Sequence, residues 1–77
     1  ERYLLETVLP AVPILAYDVA AARWHARERA RLAALGRTSP FVDGQIAAIA
    51  AVNGLVLATL NPDDFRHFEG VAVEDWR

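Results

Sequence analysis

The chain has 77 residues, enough for one small domain, and domains of that size bury a modest share of their surface. It is 55% hydrophobic and 23% charged with a net charge of −2, which excludes a disordered chain, because such chains lack the apolar surface to offset ordering entropy. It has no cysteine, so disulfide frameworks and thiolate metal sites are excluded, and no run of about 18 apolar residues offers a membrane span.

Residues 1–9 read as the tail of a helix, with Tyr3, Leu4, Val8 and Leu9 on one side and Pro10 and Pro13 stopping it. The opening Glu1-Arg2-Tyr3 lacks the charged-then-apolar order of a signal peptide. Residues 12–16 form a short apolar run flanked by proline, as a strand would. Asp18 is placed to cap a long helix over residues 19–35, which is rich in alanine, leucine and arginine. Ala22, Ala26, Ala30 and Ala33 make a small-residue stripe that would pack closely on a sheet. Gly36 suits the position just past the helix end.

Between positions 23 and 37 lie five arginines (Arg23, Arg27, Arg29, Arg31 and Arg37) against one acid, Glu28. All eight basic residues are arginine, which suits phosphate recognition as well as a solvated helix face. The solvated face is the simpler reading, with Arg27 and Glu28 as ordinary surface.

Ser39-Pro40 predicts the start of a second helix over residues 40–52, with serine as N-cap and proline in the first turn. Ile46, Ile49 and Ala50 supply its buried face, and Asn53-Gly54 ends it. Residues 55–59 are apolar on both faces, as in a buried parallel strand. Asn61-Pro62-Asp63-Asp64 is a turn, with Asp64 placed to cap a short helical turn that Gly70 breaks. Residues 71–76 alternate loosely and suit an edge strand. This last part is acidic: Asp63, Asp64, Glu69, Glu74 and Asp75 face Arg66 and Arg77. Strands alternating with helices imply an α/β fold with a parallel sheet and flanking helices.

In such sheets ligands gather at the carboxyl ends of the strands. Asp43 lies in the first turn of the helix before the strand, and Thr59, Asn61 and Asp64 follow the strand's end. A helix returning antiparallel to that strand brings Asp43 and Asn61 to the same end. Carboxylates with an amide oxygen make a hard-oxygen site suited to Mg²⁺ or Mn²⁺. The plainer alternative is an aspartate favoured by the helix dipole beside an ordinary turn. His25 and His67 have no catalytic partner in the sequence. Trp24 reads as packing or as a partner anchor, Phe65 and Phe68 as core, and Trp76 as C-terminal packing.

Residues 39–50 (SPFVDGQIAAIA) resemble the PIN-domain segment in which an aspartate opens a helix continuing as Ile-Ala-Ala. Residues 54–65 (GLVLATLNPDDF) are similar to the segment that follows it, with glycine, apolar strand, threonine, an asparagine or aspartate and an Asp-Phe pair. Residues 70–76 (GVAVEDW) resemble the family's last strand, and residues 13–18 (PILAYD) before an alanine-rich helix also fit. The match covers essentially the whole chain. It is nearest to VapC-like toxins of toxin–antitoxin pairs, including the FitB-like branch.

The resemblance implies a PIN-like domain of which residues 1–77 are the C-terminal part, without the N-terminal strand and early helices. The absence of methionine agrees with a fragment or a processed product. It implies an Mg²⁺- or Mn²⁺-dependent endoribonuclease of a type II toxin–antitoxin system, cytoplasmic and active when complete. By the same resemblance Asp43 and Asp64 are metal ligands, Asn61 belongs to the catalytic group, and Thr59 is a hydroxyl beside the metal or against a phosphate. The partners implied are an RNA substrate, a cognate antitoxin, and a second copy or the missing N-terminal part. The family's early Asp-Thr-Asn/Ser strand and a helical glutamate are absent. Asp43 and Asp64 alone carry too little charge to hold a divalent ion tightly. The competing reading is a non-catalytic PIN-like remnant that binds an antitoxin or another PIN chain.

Overall fold

The computed structural model describes residues 2–5 and 17–77. Three parallel strands form one sheet: β1 (Tyr3–Leu5), β2 (Val56–Thr59) and β3 (Ala72–Asp75), with β2 in the middle. Two helices, α1 (Val19–Ala34) and α2 (Phe41–Val52), lie in the chain between β1 and β2. The segment 60–71 between β2 and β3 carries a short 3₁₀ turn, Pro62–Asp64. The α/β class and the parallel sheet with helices are as the sequence predicts.

The helix tail expected over residues 1–9 is not found in the part described. Tyr3, Leu4 and Leu5 instead pair in parallel with Val56, Leu57 and Ala58. Three residues have too little local helix preference to resist a strand partner, and the pairing buries Leu4 while Tyr3 stays at the surface. The strand expected over residues 12–16 lies outside the described residues. Among the described residues, β1 pairs only with β2.

The caps of α1 follow the sequence closely. The Asp18 carboxylate accepts from the Ala21 N–H at 2.9 Å. At the other end Gly36 takes φ +73°, and the N–H groups of Gly36 and Arg37 donate to the carbonyls of Ala33 and Leu32. This is a Schellman ending, which satisfies two otherwise orphaned carbonyls. α2 ends the same way: Gly54 and Leu55 donate back to Ala51 and Ala50.

The N-terminus of α2 differs from expectation. Pro40 occupies the cap position without a side-chain hydrogen bond. Ser39 is drawn away, its Oγ meeting His67 Nε2 across the fold.

The buried face of α1 also differs. Ala21, His25, Glu28 and Leu32 are buried, while Ala26, Ala30 and Ala33 of the alanine stripe are exposed. The buried set is spaced by four, three and four, one helical face. It meets α2 rather than lying flat on the sheet. Gly44 makes that approach possible, because a methyl there would collide with the His25 imidazole. The core gathers Leu4, Leu32, Ile46, Ile49, Leu57, Phe65 and Phe68. Trp24 packs on Phe68, with ring centroids 6.1 Å apart. Phe65 and Phe68 are thus core residues, as read from the sequence. Trp76 stacks at a tilt on Tyr3 near the sheet surface.

Candidate functional site

α2 leads through the Gly54 turn directly into β2, so helix and strand run antiparallel. The first turn of α2, with Asp43, therefore faces the same end of the sheet as Thr59. The contact between Ser39, just before α2, and His67, just after the 3₁₀ turn, ties these two segments together.

Thr59 ends β2 and is buried. Its Oγ1 accepts from the Asn61 N–H at 2.9 Å, which fixes the chain as it leaves the sheet. Pro62, itself buried, then starts the 3₁₀ turn, and its carbonyl accepts from the N–H groups of Phe65 and Arg66. Fully buried Phe65 anchors the turn from below. Asp64 is the last residue of that turn, not the cap of a following one. The proline fixes φ and nucleates the turn two residues earlier than the sequence reading placed it.

The three predicted site residues stand differently with respect to solvent. Asp43 is half-buried in α2, where the helix dipole favours its negative charge. Asn61 and Asp64 are exposed on the turn. A further carboxylate, missed in the sequence, ends β3 level with Thr59: Asp75. It is committed to Arg77, whose guanidinium hydrogen bonds hold the Asp75 carboxyl down at about 2. A shallow pocket of about 160 Å³, lined by Leu5, Ala58, Thr59, Leu60 and Trp76, opens at the carboxyl ends of β1 and β2.

These donors fit a hard divalent cation in kind, since carboxylate and amide oxygens are what Mg²⁺ and Mn²⁺ take. In number they fall short: among the described residues no three of His, Asp or Glu converge on one point. Any such ion would need further oxygens from outside this set.

A further polar assembly among the described residues lies elsewhere and was not foreseen. Glu28, taken from the sequence as ordinary surface, is only 7% exposed. Both its carboxylate oxygens accept from Arg31, at 2.8 and 2.9 Å, and Oε1 also accepts from the Glu69 N–H. Arg31 continues to the His67 carbonyl at 2.7 Å. The Arg31 hydrogen bonds hold the Glu28 carboxyl below its ordinary pKa, overcoming the upward push of burial. This clamp pins residues 67–69, beyond the 3₁₀ turn, onto α1. The signal was present in the sequence: His25, Glu28 and Leu32 share one helical face, and Glu28 and Arg31 are an i,i+3 pair.

His25 is buried against Gly44, with Nδ1 3.0 Å from the Tyr17 hydroxyl. Burial, and then the charge of Arg29, lower its pKa. Its surroundings explain it as a helix-packing residue.

A parallel sheet with two packed helices and acids at its carboxyl end is a PIN-like α/β arrangement. The comparisons with known proteins agree on a narrower group. The chain is 36% identical over 73 residues to the tRNA(fMet)-specific endonuclease VapC of Shigella flexneri, a match covering 95% of this chain and 55% of that protein. It is 34% identical to the tRNA(fMet)-specific endonuclease VapC of Salmonella typhimurium strain LT2, with the same coverage. In structure it resembles a chain of the crystal structure of DNA-bound VapBC from Salmonella typhimurium, with TM-score 0.70 and 39% identity, covering 79% of this chain and 46% of that one. No protein-family model matches. The chain is VapC-like, and it spans about half the length of the curated relatives it matches.

Proposed function

We propose that these residues are the C-terminal part of a PIN domain in a VapC-type toxin, a metal-dependent endoribonuclease that cuts RNA phosphodiesters when complete. One observation carries the reading: the likeness to two tRNA-specific endonucleases extends over 95% of the chain. The placement of Asp43, Asn61 and Asp64 at one end of a parallel sheet supports it. Asp43 and Asp64 would hold Mg²⁺ or Mn²⁺ with the Asn61 amide beside them, and the rest of the complete protein would supply the remaining oxygens. A divalent ion in such a site polarises the phosphodiester and lowers the pKa of water.

What this chain's own residues contribute is positioning. Thr59 locks the exit from β2, Pro62 and Phe65 set the turn that presents Asp64, and the first turn of α2 carries Asp43. A protein antitoxin is the proposed partner, supported by the VapBC complex among the structural neighbours. A second copy, or the N-terminal part of the domain, would cover the sheet beside β1. The proposed place of action is the cytoplasm, where RNA is available.

The test is RNA cleavage by the full-length protein that carries this chain. Cleavage is expected with Mg²⁺, lost with EDTA and restored by Mn²⁺. Antitoxin binding without cleavage under any metal condition would overturn the nuclease reading and leave the non-catalytic one.

A further inference from the structure

A second concavity lies away from the carboxylates, where the end of α1 meets the start of α2. It encloses about 110 Å³, whereas a single water needs roughly 10–15 Å³. Arg29 and Arg37 stand at its walls with the hydroxyl residues Thr38 and Ser39, and Gly44 and His25 form part of its floor. Among the described residues no carboxylate lines it. Neither Arg29 nor Arg37 forms an ion pair with another described residue, in contrast to Arg31, Arg66 and Arg77. The Arg29 guanidinium instead lies 5.2 Å from the ring centroid of exposed Phe41. Two cations with no acid partner among the described residues, lining one concavity together with Thr38, form a setting that favours an oxyanion.

Resting on the nuclease reading above, we propose that this pocket binds a backbone phosphate of the RNA strand, one removed from the bond that is cut. Ser39, Pro40 and Gly44 line the pocket and Asp43 belongs to the same first turn of α2. A strand seated with one phosphate between Arg29 and Arg37 therefore passes the turn that carries Asp43.

The experiment measures binding, not cleavage. Fluorescence anisotropy follows a short single-stranded RNA on the full-length protein in EDTA, across a salt series. The double variant Arg29→Gln, Arg37→Gln is expected to weaken binding about tenfold and to make the salt dependence shallower by about 1, as lost phosphate contacts do. The control variant Arg23→Gln, Arg27→Gln removes two exposed arginines of the same helix that lie outside the pocket. An equal loss in the control, or no loss in the first variant, would overturn the proposal. Titration with inorganic phosphate separates the sources. Saturable shifts of the Thr38, Ser39 and Gly44 amides with unchanged RNA affinity in the double variant would overturn the strand assignment in favour of a free anion. Since no metal is present, a protein that never cleaves can still pass this test, and one that cleaves can still fail it.

Discussion

Two groups of charged residues, the seam between α1 and the 67–69 segment and the carboxyl end of the sheet, are treated in opposite ways by the fold. At the seam Glu28 is buried and every contact is taken up: by Arg31, by the Glu69 N–H and, through Arg31, by the His67 carbonyl. At the sheet's end Asn61 and Asp64 are exposed on a short, rigid turn. A buried carboxylate must be paired, because an unpaired one carries a large desolvation cost. A carboxylate held at the surface by a locked turn contributes little to stability and remains available to a ligand. The first group is explained by the fold, and the second is the one to which we assign chemistry.

The contrast is sharpest under substitution. Glu28→Ala leaves Arg31 and the Glu69 N–H without their acceptor, and a loss of roughly 2–3 kcal/mol is expected, at or below the roughly 3–5 kcal/mol for breaking a fully buried pair because Arg31 is partly exposed. Asp64→Asn should stay within about 0.5 kcal/mol of the parent, as surface changes do. Chemical denaturation of both variants checks the pair. Equal effects would break the comparison.

Acidification probes two buried groups of α1, one at the seam and one against α2, with a smaller effect. His25 has a lowered pKa through burial and then Arg29. Its contribution is therefore complete above the unfolded value near 6.5 and erodes as pH falls below it, because the unfolded chain takes the proton first. Glu28 is also lowered, chiefly by the Arg31 hydrogen bonds, so its contribution holds above the unfolded value near 4.5 and is lost as pH falls through the folded one. Stability measured from pH 7 downward should fall in two stages, with the first removed by His25→Gln. A flat profile from pH 7 to 5 would contradict the burial of His25.

Much of this fold was legible where local chemistry decides structure. Asp18, Gly36 and Gly54 mark helix ends because caps and left-handed glycines act through neighbouring backbone groups. The buried strand at 56–59 was readable from its unbroken apolar run. Residues 3–5 were misread because strand pairing with 56–58 is a long-range contact that a local helical pattern cannot reveal. Ser39 was misread for the same reason: its partner, His67, is 28 residues away. For the proposed site, family resemblance and strand-end logic pointed to Asp43, Asn61 and Asp64, and the fold puts the first turn of α2 and the turn after β2 at one end of the sheet. Asp75 and the arginine pocket were not, since each depends on which strand end or helix meets a distant segment, and Glu28 was taken for surface although its helical face and its i,i+3 arginine were in the sequence.

We propose that the end of the sheet does chemistry while the seam holds the fold. This is tested most directly by the RNA cleavage rate per folded molecule of full-length protein carrying Asp43→Asn. A fall of about a hundredfold or more, in a variant that still unfolds cooperatively, is the expected result. Parent-level cleavage by the folded variant would contradict it.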